Sequence, residues 1–260
     1  MPDFFIIWPG EDFRLETLLH QELREIFDDL LEHFGPQHWW PGETPLEVVV
    51  GAILTQNVAW NNVEKAINNL QGKDLLSVAG LVQVPREELA ELIIPTRYYN
   101  QKATRLKGFM IMVEEEFSGE MDKLLALETD ELRRLLLKSK GIGKETADSI
   151  LLYAADRPVF VVDAYTRRIF SRLGYVEEKV SYDEMQALFT NHLPADTDLF
   201  NEYHALIVAL GKDICRARNP LCSDCPLNHR CSYRIAEDGK QPEDNGRDNT
   251  EYYENAEDTK

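Results

Sequence analysis

The sequence predicts an all-α protein, because its apolar residues recur at helical spacing and rarely alternate as they do in a strand. Three apolar stripes with a helical period are clear, at Leu132–Leu136, Ala147–Ala154 and Tyr203–Ile214. Strand-like patterns are limited to Val159–Val162 and to the ambiguous segment Glu47–Leu54. The 260 residues are 43% hydrophobic, so the chain can build a large core in one or two domains.

The expected helices and the breaks between them follow one another along the chain. Residues 14–34 show an amphipathic pattern, and a loop rich in glycine and proline follows at 35–42 and contains Trp39–Trp40. Further along, two amphipathic helices are expected at about 130–139 and 144–155. No internal repeat interrupts this organisation.

The charge of the chain is strongly acidic, with a formal net value of −18. Part of it is local, since residues 236–260 hold nine acidic and three basic side chains and almost no aliphatic ones. Such a segment cannot bury enough apolar surface to offset its chain entropy, so we expect a disordered acidic tail. No stretch approaches the roughly 18 apolar residues of a membrane span. The apolar run Phe4–Trp8 follows Asp3 rather than basic residues, so we expect an intracellular protein without a signal peptide.

Basic side chains concentrate in three places despite the acidic total. Residues 138–172 carry seven Lys or Arg against four acids, and residues 212–234 carry five against two. The third place is a stretch without any acid, whose basic residues are Arg97, Lys102, Arg105 and Lys107. These clusters fit a face that binds phosphates, but composition by itself favours the alternative that they are solvated helix faces.

The segment Ser139–Ala147 joins two of the expected helices through a turn that contains Gly141 and Gly143. The turn is too short for anything but a tight hairpin, and glycine permits a positive φ at both positions. Backbone amides of the hairpin and of the next helix start would then point outwards and form an anion site. A helix–hairpin–helix of this kind binds a DNA phosphate without reading the base sequence.

Asp163 ends the apolar run Val159–Val162 and begins another helix. An aspartate at this position is first of all an N-cap, and it need do nothing more. The helix amides and dipole would also keep the carboxylate ionised behind apolar residues. A nucleoside that loses its base develops positive charge on the sugar, which such a carboxylate could stabilise, or whose attacking water it could activate.

The chain has only four cysteines, and they are spaced C-x6-C-x2-C-x5-C at Cys215, Cys222, Cys225 and Cys231. This clustering predicts one metal or iron–sulfur centre rather than disulfides, because the chain is long and lacks secretory features. Zinc sites normally present two close pairs separated by a longer loop, whereas only Cys222 and Cys225 form a close pair here. The spacing by itself leaves zinc and [4Fe–4S] as alternatives of equal weight.

Taken together, these motifs resemble the endonuclease III, or HhH-GPD, superfamily of DNA glycosylases. The sequence KGIGKETA at Lys140–Ala147 is followed by VVDAYTRR at Val161–Arg168, with eighteen residues from Glu145 to Asp163. The cysteine loop then follows at the place where the family has its iron–sulfur loop. The resemblance covers roughly residues 40–235 and implies that the four cysteines bind a [4Fe–4S] cluster.

The resemblance also implies a two-domain organisation of the all-α fold. Residues 41–155 correspond to a helical barrel domain with the helix–hairpin–helix. Residues 1–40 and 156–235 correspond to a second helical domain that bears the iron–sulfur loop, and 236–260 is the acidic tail. The implied partner is double-stranded DNA with damaged bases, bound by a monomer in the cytoplasm of a prokaryote, in association with the nucleoid and not with a membrane.

Site residues follow from the resemblance position by position. Asp163 matches the catalytic aspartate of the family, and Gln56 matches the residue that wedges into the duplex where a base is flipped out. The residues expected to contact DNA are Gln56, Gly141, Gly143, Lys144, Thr146, Arg216 and Arg218.

One departure from the family pattern concerns the mechanism. Bifunctional members have a lysine where this chain has Glu145; that lysine attacks C1′ and forms the Schiff base that leads to strand cleavage. Glutamate cannot do this, and the adjacent Lys144 points about 100° away around the helix. We therefore expect a monofunctional glycosylase, in which water attacks, the extruded base leaves and an abasic site remains.

The base specificity is suggested by four segments that resemble the bacterial 3-methyladenine DNA glycosylases of this superfamily: His38–Pro41, Gly51–Asn57, Arg97–Ala103 and Gly141–Glu145. Some members of that branch lack the cluster, so the cysteines are a departure towards endonuclease III itself. Adenine-mismatch glycosylases have a glutamate at the position of Gly51, which disfavours that specificity.

Alkylated purines are cationic and weakly attached, so electron-rich aromatic rings can select them by stacking. The candidates for such a pocket are Trp39, Trp40, Trp60, Tyr98 and Tyr99, of which we expect two to face the site. His38, beside the tryptophans, is the histidine expected to matter. The alternatives are an endonuclease III-like glycosylase for oxidised or deaminated pyrimidines, and a lesion-binding protein without catalysis.

Overall fold

The computed structural model describes residues 9–40 and 42–238, with side chains at 17–40 and 42–236. Within these ranges the fold is all-α and has no strand, which confirms the predicted fold class. The helices are α1 (Pro9–Phe34), α2 (Pro45–Leu54), α3 (Trp60–Gln71), α4 (Val78–Gln83), α5 (Arg86–Leu92), α6 (Tyr99–Phe117), α7 (Met121–Leu125), α8 (Thr129–Lys138), α9 (Lys144–Tyr153), α10 (Ala164–Leu173), α11 (Tyr182–Thr190), α12 (Thr197–Asp213) and α13 (Ser232–Asp238). Short 3-10 turns lie at Ile94–Thr96, Cys222–Asp224 and Asn228–Arg230.

Two parts of the sequence-based prediction fall outside this description. The apolar run Phe4–Trp8 lies outside the described residues, and so does the acidic tail from position 239 onwards. Along the described part of the chain, no helix is both long enough and apolar enough to cross a membrane.

Two hydrophobic clusters organise the helices. The first is built from α2 to α9 and extends from Val49 to Leu151. The second is built from α1, the last turn of α9 and α10 to α12, and extends from Leu23 to Leu227. The chain therefore leaves the second cluster after α1 and returns to it at the end of α9. This arrangement agrees with the proposed division into one domain of residues 41–155 and a second domain of residues 1–40 and 156–235. The domain limits themselves stay a prediction.

The two strand-like segments of the sequence have different structures. The segment Glu47–Leu54 lies within α2, because Pro45 fits the first helical position and Thr44 caps the helix by accepting the Glu47 amide at 3.2 Å. This helix is buried along most of its length, so its continuous apolar pattern reflects burial on all sides. The segment Val159–Val162 is extended but pairs with no other strand, and it places Asp163 at the start of α10.

The hairpin between α8 and α9 is formed as expected, and one of its two glycines uses the positive φ that glycine permits. Gly141 has φ +90°, a conformation that side chains disfavour. Gly143 has φ −93° and ψ −179°, so it does not use that freedom. The reason is that Gly143 is the N-cap of α9, and an N-cap has an extended backbone.

A buried polar contact holds the hairpin helices against α11. Asp148 on α9 is fully buried and receives two hydrogen bonds from Arg133 on α8, at 2.6 and 3.0 Å. Gln186 on α11 donates to the same carboxylate at 2.8 Å and to the Phe160 carbonyl at 2.7 Å. Both carboxylate oxygens are therefore paired, as a buried charge requires.

The basic stretch that contains Lys102 is not the exposed basic face that the sequence allowed. Lys102 is 2% exposed, and its ammonium donates to the carbonyls of Leu54 at 2.8 Å and Thr96 at 2.6 Å. Burial, followed by the charge of Arg105, lowers the pKa of Lys102 to about 8. Lys107 donates in the same way to backbone carbonyls, so two of the four cations serve the fold.

Candidate active site and iron–sulfur loop

Asp163 is a largely buried carboxylate at the N-terminus of α10, with 13% of its side chain exposed. Its Oδ1 atom accepts hydrogen bonds from the backbone amide and the hydroxyl of Thr166, both at 2.8 Å. Burial by itself would raise the pKa of Asp163, but the nearby imidazole of His204 and the two Thr166 donors outweigh burial and lower it. The carboxylate is therefore ionised at neutral pH, with Oδ1 saturated and Oδ2 not.

The imidazole of His204, on α12, faces the second oxygen of this carboxylate. Its Nε2 lies 3.7 Å from Asp163 Oδ2, inside ion-pair range but beyond hydrogen-bond range. Its Nδ1 lies 2.5 Å from the Tyr153 hydroxyl, at the end of α9. Sequence reasoning missed both residues and named His38 instead, which is exposed. The available signal was a histidine inside the apolar stripe Tyr203–Ile214, where a polar side chain needs a partner.

Glu145 lies in the first turn of α9 and is exposed at the mouth of this site. Although Glu145 reaches solvent, desolvation by the surrounding protein and the negative charge of Asp163 raise its pKa, and His204 and Arg167 oppose them. Lys144 turns away from the site, since its ammonium binds Asp183 of α11 at 2.6 Å.

Gln56 lies against the hairpin rather than in open solvent. Its amide nitrogen donates to the Gly141 carbonyl and to the Thr146 hydroxyl, both at 3.0 Å. Its amide oxygen accepts from Arg105 at 3.0 Å. Thr146 is only 5% exposed, and its hydroxyl accepts the hydrogen bond from Gln56, so the predicted DNA contact of Thr146 stays a prediction that its hydroxyl does not support. The structure thus brings Gln56 and the hairpin together, although 85 residues separate Gln56 from Gly141.

Three of the five predicted pocket aromatics form one cluster. The ring centroids of Trp40 and Trp60 are 4.9 Å apart, and those of Trp39 lie 5.7 and 6.1 Å from them. Tyr153 continues the cluster, with its ring 5.0 Å from Trp40. The aromatic cluster, defined by these four residues, therefore reaches Asp163 through the contact between Tyr153 and His204.

The aromatic cluster packs directly on Gly51. A Cβ atom at this position would lie 3.2 Å from Trp40 and 3.3 Å from Trp60, closer than ordinary packing allows. The indole nitrogens of Trp39 and Trp40 are buried and have no hydrogen-bond partner in the described part of the chain. Unpaired buried donors are costly, so these two N–H groups are unusual within the core.

Tyr98 and Tyr99 do not belong to this cluster, so their place in the base pocket stays a prediction. They begin α6, are 67% and 36% exposed, and make no ring contact with the tryptophans in the described structure. Arg97 and Tyr98 have φ values of +56° and +43°, which turn the chain sharply at this point. The direction of a side chain at such a turn cannot be read from its spacing in the sequence.

The four cysteines are unpaired and line one small, mostly apolar cavity. No group of three or more His, Cys, Asp or Glu side chains among residues 17–40 and 42–236 is arranged to hold a single metal ion. A tetrahedral zinc site needs its ligands within about 2.3 Å of one centre. Four thiols around a common cavity are a donor set that suits either zinc or the corners of an iron–sulfur cluster.

The second half of α10 binds the cysteine loop. Arg168 donates to the carbonyls of Gly211 and Cys215, both at 2.9 Å. Arg172 donates to the Cys215 sulfur at 3.3 Å and to the Arg216 carbonyl at 2.8 Å. The side chains of Arg216 and Arg218 are exposed on the outside of this loop.

Comparison with known proteins places these features in one class, that of base excision DNA repair proteins. Residues 50–195 match the HhH-GPD superfamily of base excision DNA repair proteins. Residues 215–231 match the iron–sulfur binding domain of endonuclease III. The chain belongs to the HhH-GPD superfamily, and its four cysteines are the ligands of the family's [4Fe–4S] cluster.

Individual relatives agree with this assignment. A Methanocaldococcus jannaschii protein that is provisionally named a DNA repair glycosylase is 50% identical over 209 residues, which cover 80% of this chain and 94% of that protein. The H. pylori 3-methyladenine DNA glycosylase bound to 1,N6-ethenoadenine has a TM-score of 0.60 and 30% identity, over 75% of this chain and 96% of that one. Endonuclease III in a non-covalent DNA complex has a TM-score of 0.74 and 24% identity, over 85% and 99%, and shows the fold alone.

Proposed function

We propose that this DNA glycosylase is monofunctional and removes alkylated purines such as 3-methyladenine, leaving an abasic site. The observation that carries the proposal is the aromatic cluster on Gly51, next to the buried carboxylate of Asp163. Stacked indole rings favour a cationic base over a neutral one. The similar H. pylori 3-methyladenine DNA glycosylase supports the same class of substrate.

The aromatic cluster would select the base in two ways. Its rings offer π faces, and the unpaired N–H groups of Trp39 and Trp40 offer hydrogen bonds to acceptor atoms on the base. A Cβ atom at Gly51 would require Trp40 and Trp60 to move by a few tenths of an ångström, so a glycine suits this position.

The two carboxyl groups of the site suit hydrolysis by water. Asp163 remains ionised and would stabilise the positive charge that develops on the sugar as the base departs. Glu145 stands where bifunctional relatives have lysine, and burial together with the charge of Asp163 raises its pKa above the ordinary value. Lys144 is held by Asp183 and does not replace that lysine. No Schiff base is therefore expected.

DNA would lie across the hairpin and the outside of the cysteine loop. Gly143 has no atom within 4 Å of the place where a Cβ would stand, so nothing inside the protein requires glycine there. A phosphate that approaches the amides at the start of α9 does require it. Arg216 and Arg218 would contact phosphates farther along the duplex. Gln56 would leave its hairpin contacts to fill the space of the extruded base.

The experiment is base release under single-turnover conditions from duplexes that contain 3-methyladenine, thymine glycol or mismatched uracil. Release of the alkylated purine alone supports the proposal. Release of thymine glycol or uracil would instead assign the enzyme to pyrimidine lesions. Tight binding of all three without release would leave a lesion-binding protein.

The matched variants are Asp163→Asn and Asp196→Asn, since both aspartates are N-caps and Asp196 caps α12 by accepting the Leu199 amide at 2.8 Å. Asparagine caps helices as well as aspartate does. We expect Asp163→Asn to slow release by at least about 10²-fold while DNA binding is retained. Asp196→Asn should change neither. Equal rates for the two variants would remove Asp163 from the chemistry.

A further inference from the structure

We infer that His204 is a positioning residue for the reaction: its Nε2–H faces Asp163 and fixes the orientation and ionisation of that carboxylate. The inference rests on the role proposed above for Asp163. It assigns a function to a buried histidine that neither the sequence motifs nor the proposed chemistry uses. Its support is the geometry of three side chains, Tyr153, His204 and Asp163.

The first step concerns the unpaired oxygen of the carboxylate. Thr166 occupies Oδ1 with two donors, and Oδ2 receives neither of them. In the described part of the chain, Nε2 of His204 lies 3.7 Å from Oδ2. That nitrogen is buried and has no hydrogen-bond partner of its own. Each atom is therefore the available partner of the other.

The second step concerns the proton on the imidazole. Burial, together with the charge of Asp163, raises the pKa of Tyr153 well above its ordinary value, so the tyrosine keeps its proton. The protonated hydroxyl lies 2.5 Å from Nδ1 of His204, and we assign it as the donor to that nitrogen. A neutral imidazole then carries its hydrogen on Nε2, where it points at the carboxylate. The opposite tautomer would place a lone pair against the negative charge of Asp163.

The third step concerns the surrounding charges. Three helices pack around the pair, and each contributes titratable groups: Glu145 and Tyr153 from α9, Arg167 from α10 beside Asp163 itself, and His204 from α12. Glu145 opposes the ionisation of Asp163, while His204 and Thr166 favour it. Of the two favourable neighbours, His204 lies beside Oδ2 and Thr166 binds Oδ1. Removal of His204 should therefore change the protonation of Asp163 at Oδ2.

The test compares His204→Asn with His204→Gln in the cluster-loaded, full-length enzyme. The asparagine amide overlies Nδ1, so it can keep the contact with Tyr153 but cannot reach Asp163. The glutamine amide overlies Nε2, so it can donate to Asp163 but loses Tyr153. Both variants are polar and of similar size, and the visible absorbance of the cluster together with binding to an abasic-analogue duplex reports whether each one is folded.

The measurement is the single-turnover rate of purine release from methylated duplex DNA at pH 5 and pH 8, with spontaneous release subtracted. We expect His204→Asn to lose about tenfold more activity at pH 5 than at pH 8, because Asp163 protonates more readily without the imidazole of His204 beside it. His204→Gln should follow the pH dependence of the unmodified enzyme. Parallel pH profiles for all three proteins, or the same acid-side loss in both variants, would overturn the inference.

The outcome is separable from that of the proposed function. If the unmodified enzyme releases no base from any lesion, or if Asp163→Asn releases it at the normal rate, the proposed function fails. If release occurs and requires Asp163, but the two His204 variants share one pH profile, only the positioning role fails.

Discussion

The substitution Gly141→Ala tests which contacts stabilise the hairpin between α8 and α9. Its φ of +90° is unfavourable for any residue with a side chain. A Cβ atom at this position would also overlap the Cδ and Nε atoms of Arg105. Arg105 in turn donates to Gln56, whose amide donates to the Gly141 carbonyl. Gly141→Ala therefore strains the turn and displaces the residue that holds Gln56.

The size of the effect follows from these two contributions. A strained φ costs about 1–2 kcal/mol, and loss of the part-buried bond between Arg105 and Gln56 costs about 1 kcal/mol. The lower conformational entropy of the unfolded alanine variant stabilises the folded state by roughly 0.5 kcal/mol, which offsets part of this loss. We expect a net loss of about 2 kcal/mol in the free energy of unfolding, measured as a lower urea midpoint at unchanged m-value. The far-ultraviolet signal and the cluster absorbance should be followed together.

Gly143→Ala is the matched control, because it makes the same chemical change two residues away. Gly143 has φ −93°, and its missing Cβ would contact nothing. We expect stability to change by less than about 0.5 kcal/mol, since a poorer N-cap and a less flexible unfolded chain nearly cancel. Duplex binding, measured by fluorescence anisotropy, should nevertheless weaken. Equal loss of stability in both variants, or no loss in Gly141→Ala, would refute this account of the turn.

Two further predictions concern lysines. The pKa of Lys102 is about 8 in the folded protein and near 10.5 in the unfolded chain, so between these values the unfolded chain binds more protons and stability should rise with pH. Thermal melts at pH 8 and pH 10 should show a rise of about 1–2 kcal/mol in the natural protein. The variant Lys102→Met should not show it. Glu145→Lys restores the lysine of bifunctional relatives, so borohydride should trap a covalent DNA adduct with this variant and none with the natural protein. An adduct with the natural protein would show that another amine replaces the missing lysine.

The features that the sequence predicts are those that depend on neighbours along the chain. Helical periodicity identifies the α8–α9 hairpin, and fixed spacing identifies the four cysteines, because both signals are local. The end of the Val159–Val162 run identifies Asp163 as an N-cap for the same reason, and the Asp163 side chain does accept the Thr166 amide. The match to the endonuclease III iron–sulfur domain confirms the cluster.

The features that the sequence does not reveal depend on contacts between distant elements. Lys102 looks like a surface cation until the carbonyls at the end of α2 and in the 3-10 turn before α6 are brought to it. His204 looks like a core histidine until α10 places Asp163 beside it, 41 positions earlier in the chain. In both cases the polar partner is supplied by tertiary packing, and no spacing rule reports it.

Helices α10 and α12 explain how a cluster can matter to a reaction that it does not touch. α10 begins at Asp163 and, about two turns later, binds the cysteine loop through Arg168 and Arg172. α12 carries His204 and leads directly into Cys215. Asp163 and His204, which lie 3.7 Å apart at the candidate active site, thus belong to α10 and α12. The cysteine loop joins these two helices at their other ends. We therefore expect a loop closed around its cluster to hold these helices in one register and so to maintain the geometry of Asp163 and His204 from a distance, while Arg216 and Arg218 are exposed on its outer side.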